Sequence, residues 1–193
     1  MAKRGNSEDD SVIQSMGAIK DPLYSYVGRV KGGIAYKMWK ESLLKIKEGE
    51  VLWLNFPAEQ IIDPSFADES IIRLGRELYE MEFGDRFIRL CGLSPDSIIN
   101  INAAIKWHDY KVAFLSEHPH EGWQIIGWPP GKKLLETFEV AKARGHITAP
   151  EFAAASQIAL NTASTRLYRL YSLRLIRRRM ERSHKGIEYI YSV

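Results

Sequence analysis

The 193-residue chain is 45% hydrophobic and 26% charged with a net charge of +3, the balance of an ordinary globular protein rather than a disordered or fibrous one. No apolar run approaches the roughly 18 residues needed to cross a bilayer, and the leading MAKRGNSEDDS has no apolar segment behind its basic residues, so neither membrane association nor secretion is expected. Cys91 is the only cysteine, which excludes an internal disulfide and makes a cytoplasmic location the expectation. The charge is unevenly spread: residues 132–193 carry 12 Lys and Arg against 5 Asp and Glu, while residues 1–131 carry 15 against 19. A basic block joined to a mildly acidic one suggests that only the last third meets a polyanion.

In chain order, residues 1–11 are too polar to offset the entropy of ordering them and read as a disordered lead. Residues 12–127 alternate helix and strand signals. Ile34, Met38, Leu43, Leu44 and Ile46 predict one face of a helix over 34–47, with Gly49 after its end. Val51-Leu52-Trp53-Leu54 is a continuous apolar run, the pattern of a strand buried on both faces. Asp63-Pro64 opens a second helix, Asp63 as cap and proline in the first turn; its apolar positions are Phe66, Ile71, Leu74, Leu78 and Met81. Phe87 to Cys91 is a strand, and Ser94-Pro95-Asp96 opens a third helix facing inward through Ile98, Ile101 and Ile105. Strands over 111–116 and 123–126 follow. This alternation implies an α/β domain with a partly parallel, mixed sheet.

Gly127-Trp128-Pro129-Pro130-Gly131 breaks the pattern, because two prolines remove donors and disfavour helix; residues 128–131 are expected to link two domains. Beyond it, 132–144 reads as a helix stopped by Gly145, 149–156 as a short second helix, and 160–173 as a third. Strands over 175–181 and 187–191 close the chain around Ser183-His184-Lys185-Gly186.

The stretch from His146 to Arg179 resembles the winged helix-turn-helix domains of bacterial transcription regulators. Thr148 stands where that family caps its second helix. Thr162, Ser164 and Thr165 match the start of its third helix, Leu167 and Leu170 its leucine pair, and Leu175-Ile176-Arg177-Arg178 the opening of its wing. The likeness covers about 60 residues. It departs at Arg174, where the family usually has glycine, which leaves the turn into the wing unexplained. The resemblance implies a DNA-binding domain over 132–193.

The residues point the same way. Ala163, Leu167 and Leu170 form a buried stripe; Thr162, Thr165, Arg166 and Arg169 fall on the opposite side, able to enter a major groove about 12 Å wide. Asn161 is either a base contact or the helix cap. Arg166 reads bases or grips phosphate, and Arg169 is placed on phosphate. On the hairpin, Arg177, Arg178, Arg179, Arg182 and Lys185, with His184 near the tip, suit phosphate or minor-groove contact. The competing reading is a basic surface that is merely solvated.

Leu52 to Glu69, centred on Asp-Pro-Ser-Phe-Ala-Asp, looks like the STAS-like domains related to anti-sigma-factor antagonists, over roughly Gly28 to Ile105. The resemblance makes Ser65 the position of a phosphorylated serine; the simpler reading, that Ser65 helps to cap its helix, is preferred. Asp63, Asp68, Glu69, Glu77 and Glu80 read as a solvated helix face rather than catalytic acids. His118 and His120, with His108 upstream, lack a second ligand pair at zinc spacing, and Gly32-Gly33 lacks the Lys-Ser/Thr of a phosphate loop. Cys91 is expected to pack in its strand, and Trp107, Trp123 and Trp128 to pack in the core or between domains. No enzyme activity, cofactor or metal is expected.

The leading expectation is a DNA-binding regulator, a homodimer on double-stranded DNA because paired half-sites multiply specificity, whose α/β domain senses a signal or binds a signalling protein. The alternative is a signalling adaptor whose winged helix docks a partner protein.

Overall fold

The computed structural model describes residues 25–118, 122–183 and 186–193. The polar lead 1–11, residues 12–24 of the expected α/β domain, Pro119 and His120, and His184 and Lys185 lie outside the described residues.

The first helix, α1, spans Arg29–Lys45 and buries Gly32, Ala35, Tyr36, Trp39 and Leu43. The expected face holds in part: Leu43 and Ile46 are buried, while Ile34 and Leu44 are 43% and 52% exposed. In their place the buried line takes in Gly32, Ala35, Tyr36 and Trp39, small residues at one end and aromatic ones beyond. A Cβ on Gly32 would lie 2.8 Å from the Phe66 carbonyl oxygen.

Strand β1 (Val51–Asn55) is followed by α2 (Pro64–Ala67), a π-helical turn (Asp68–Ile72) and α3 (Arg73–Tyr79). Asp63 caps α2 by accepting the Phe66 N–H at 2.6 Å, and its other oxygen accepts the Gly28 N–H at 2.9 Å. The five-residue step from Phe66 to Ile71 is absorbed by the π turn, where buried Ser70 donates to the Phe66 carbonyl at 2.6 Å. Met81 lies past the end of α3 and is 48% exposed, so it is not part of the buried face. Strand β2 (Phe87–Cys91) leads to α4 (Pro95–Trp107), capped by Ser94, then to β3 (Ala113–His118) and β4 (Gly122–Gly127). The sheet order is β1-β2-β3-β4, parallel between the first three and antiparallel at the last pair. The chain is thus α/β with a mixed sheet, as expected.

The C-terminal part contains α5 (Lys132–Arg144), β5 (His146–Thr148), α6 (Ala149–Ser156), α7 (Leu160–Ser172), β6 (Arg177–Ser183) and β7 (Gly186–Ser192). Its strands form an antiparallel sheet in the order β5-β7-β6. The three-residue β5 was not anticipated; it is too short for a period to register. Thr148 caps α6 in a reciprocal capping box with Glu151, which satisfies two otherwise orphaned amides.

Both faces of the first sheet are buried. Leu52, Leu54, Ile88, Leu90, Phe114 and Ile126 pack with the helices α1 to α4. Val51, Phe87, Ala113 and Leu115 face the other way and share one core with Phe138, Leu167, Leu170 and Ile176 of the C-terminal part. The link at 128–131 therefore joins two units packed face to face, with Trp128 half-buried against both cores. Trp53 and Trp123 meet over the second face at 5.5 Å between ring centroids. Trp107 does not pack as expected: at the last position of α4 it is 86% exposed.

Candidate nucleic-acid interface

Helix α7 is two-sided. Ala163, Leu167 and Leu170 are fully buried, whereas Asn161, Thr162, Thr165 and Arg169 are exposed and Arg166 is half-exposed. The N-cap is Ala159 and no side chain caps the helix, so Asn161 does not have the capping role weighed for it. Its backbone carbonyl accepts the Thr165 hydroxyl at 2.8 Å, and the residue is exposed. The α/β half meets α7 on its buried side, where Val51, Phe87 and Leu115 share a core with Ala163, Leu167 and Leu170 and Phe87 packs on Tyr171 at 6.2 Å between centroids. The threonine-and-arginine side stays open.

The hairpin places its arginines unequally. Arg179 and Arg182 are exposed, while Arg177 and Arg178 are half-buried. Arg179 pairs with Glu181 at 2.9 Å. Arg178 lies over Tyr171 and Tyr189, 4.1 and 4.3 Å from their ring centres, with Tyr168 at 5.7 Å.

Two arginines do something the sequence pattern did not reveal. Arg89, in the middle of β2, is 2% exposed and donates to the carbonyls of Ile88, Arg174 and Leu175 at 3.0, 2.9 and 3.3 Å. Desolvation, with the nearby charge of Arg177, lowers its pKa to about 9. Arg174 is 5% exposed, adopts φ +60, and reaches back to the Leu78 and Gly84 carbonyls at 2.9 Å and to Asp85 at 3.2 Å. The position where the resembled family uses glycine does need a left-handed backbone; here a non-glycine residue fills it and uses its side chain to hold the turn against the α/β half. An arginine inside the apolar run FIRLC was the one available signal for the first of these; nothing marked the second as buried.

On the α/β side, Ser65 is exposed in the first turn of α2, and the capping bond comes from Asp63 alone, so Ser65 does not cap. The carboxylates of the following helix are not simply solvated. Glu77 accepts the Tyr36 hydroxyl at 2.7 and 2.6 Å through its two oxygens, and burial together with that carboxylate raises the Tyr36 pKa. Arg73 bridges Glu69 at 2.9 Å and stacks on Tyr36. A surface cavity of about 390 Å³ lies beside these groups, with Arg76, Glu80 and Tyr110 in its walls. His108 stacks on Tyr110 and sits 3.6 Å from Asp68; among the described residues no group of three acidic, histidine or cysteine side chains converges as a metal site would require. Cys91 is only half-buried, its thiol raised to about 11 by desolvation and by Glu117 beside it. Among the described residues no helix is long and apolar enough to cross a membrane. No protein-family model, curated protein or solved structure matches the chain.

Proposed function

We propose that this protein is a DNA-binding regulator, with residues 132–193 a winged helix-turn-helix that inserts α7 into the major groove and the α/β half a STAS-like domain that receives a signal or a partner protein. The observation that carries the reading is the open side of α7: Asn161, Thr162, Thr165 and Arg169 stand exposed opposite the buried Ala163, Leu167 and Leu170. A helix fixed by its apolar stripe and presenting amide, hydroxyl and guanidinium groups matches the donor and acceptor pattern of base edges. Neither Arg166 nor Arg169 has an ion-pair partner among the described residues, in contrast to Arg73 and Arg174. The excess of cations in the last third supplies the sequence-independent attraction that DNA binding needs. Two copies on adjacent half-sites would read enough base pairs for a unique operator.

A gel-shift titration on duplexes selected from a random pool tests the groove assignment. Arg166→Ala combined with Arg169→Ala should abolish preference for the selected sequence, and unchanged specific affinity contradicts the assignment.

A further inference from the structure

Residues paired directly across an antiparallel ladder share a face, and faces alternate along each strand. Arg178↔Tyr191, Met180↔Tyr189 and Arg182↔Ile187 therefore lie on one face of the β6–β7 hairpin, and Arg177↔Ser192, Arg179↔Ile190 and Glu181↔Glu188 on the other. Tyr191 is buried in the C-terminal core, so the first face is the one turned toward α7, as the stacking of Arg178 on Tyr171 and Tyr168 requires. Strand alternation has sorted the charge. Both hairpin carboxylates sit on the second face, where Glu181 already holds Arg179. On the first face, Arg178 and Arg182 have no carboxylate at ion-pairing distance among the described residues.

We propose that the first face alone is the hairpin's contact with the sugar–phosphate backbone of duplex DNA: Arg178 and Arg182 meet phosphates, Tyr168 and Tyr189 lie against the neighbouring sugars, and Arg177 and Arg179 make no contact. This assignment rests on the DNA-binding reading above and narrows it. Arg178 is held flat by three tyrosine rings, so little side-chain freedom remains to be lost when an anion arrives. Tyr168, Tyr189, Met180 and Ile187 are 52%, 42%, 54% and 60% exposed, a margin of ring and aliphatic surface around the two cations suited to the apolar edges of sugars. The face is continuous with the open side of α7, since Tyr168 stands one turn after Thr165 on the same helix. An acidic peptide would satisfy the cations too, but would leave the amide and hydroxyls of Asn161, Thr162 and Thr165 without the base edges they suit.

The test compares two exposed arginines of one strand in the 193-residue chain. Binding to a fluorescent duplex is measured by anisotropy across a salt series, with circular dichroism showing each variant to be folded. Arg182→Ala should weaken binding roughly fivefold and reduce the slope of log affinity against log salt by about one. Arg179→Ala should leave affinity within about twofold, because its charge is already compensated at the surface. Tyr168→Ala should weaken binding with the salt slope unchanged, since no charge is lost. Equal losses from Arg179→Ala and Arg182→Ala, in a wild-type chain that binds DNA, overturn the face assignment and leave the regulator reading standing. A wild-type chain that ignores DNA but binds polyglutamate through Arg182 overturns both in favour of an acidic protein partner.

Discussion

Arg174 combines two unfavourable states, a buried cation and a left-handed backbone, and its contacts explain how both persist. A non-glycine residue in that region costs about 1 kcal/mol, yet the guanidinium satisfies two carbonyls and pairs with Asp85. Arg174→Ala should therefore lower the unfolding free energy by about 3 kcal/mol, by removing the ion-pair partner of Asp85 and the donor to the two carbonyls. Arg174→Gly should cost about 1 kcal/mol less than that, because the strain is relieved. Urea denaturation separates the two, and a glycine variant less stable than the alanine variant contradicts the account. Cys91 gives a second residue-scale test. Its thiol is raised to about 11, so the nucleophilic thiolate should be scarce in the native chain at pH 8. Alkylation by iodoacetamide should rise toward pH 11 in the folded protein but with a midpoint near about 8.5 in the denatured one; a native midpoint at the lower value would show that the thiol is not desolvated. These residue-scale features were barely legible in advance. A buried arginine whose partners are backbone carbonyls leaves no partner residue type in the sequence to pair it with.

At the scale of elements, much was readable because capping chemistry is local. Asp63-Pro64, Ser94-Pro95 and Thr148 each announce a helix start, and each side chain accepts the expected amide. Helix faces were less legible. Periodicity weighs large apolar residues, which finds Leu43 but passes over the Gly32 and Ala35 that α1 also buries. The adjacent glycines of α1 turn this into a prediction with opposite signs. Gly32→Ala should destabilise by about 1–3 kcal/mol, since its Cβ would meet the Phe66 carbonyl. Gly33→Ala, whose Cβ would meet only Glu69 Cγ at an ordinary 3.8 Å, should stabilise by about 0.5–1 kcal/mol through helix propensity. Thermal denaturation of both variants suffices, and two shifts of the same sign contradict the docking geometry. The α6 cap carries a pH dependence. The Thr148 amide and hydroxyl hold the Glu151 carboxyl below the usual glutamate range. A depressed acid pKa means that the unfolded chain takes up the proton first, so the stabilisation is present above the ordinary glutamate pKa and lost as pH falls through the folded one. Glu151→Gln should flatten that acid limb of the stability profile; an unaltered limb would place the proton uptake elsewhere.

For the whole molecule, the apolar run Val51–Leu54 correctly implied a strand covered on both faces, but nothing in it said what covers the second. The Pro-Pro break suggested two separate bodies, while the structure packs the C-terminal part directly onto that face, through Phe87, Leu115 and the Arg89 bonds to the turn before β6. The two halves should accordingly unfold together. Hydrogen exchange of α4 amides, whose helix packs on the far face of the sheet, follows the α/β half, and that of α7 amides follows the other; equal unfolding free energies are expected, and an α7 that opens well below the α4 value would show independent domains. The Arg89 and Arg174 bonds tie the turn before β6 directly to the α/β half. The placement of exposed hydroxyl, amide and guanidinium groups on α7 was legible in the sequence; the division of the hairpin cations between two faces was not, because it depends on a register that only the paired strands define.

If α7 and the hairpin grip duplex DNA as proposed, the affinity of the 193-residue chain for a DNA duplex must fall steeply as salt is raised. Several guanidinium–phosphate contacts predict a fall on the order of 100-fold or more between about 50 and 200 mM salt. Absence of binding at low salt, or binding that does not respond to salt, would contradict the account.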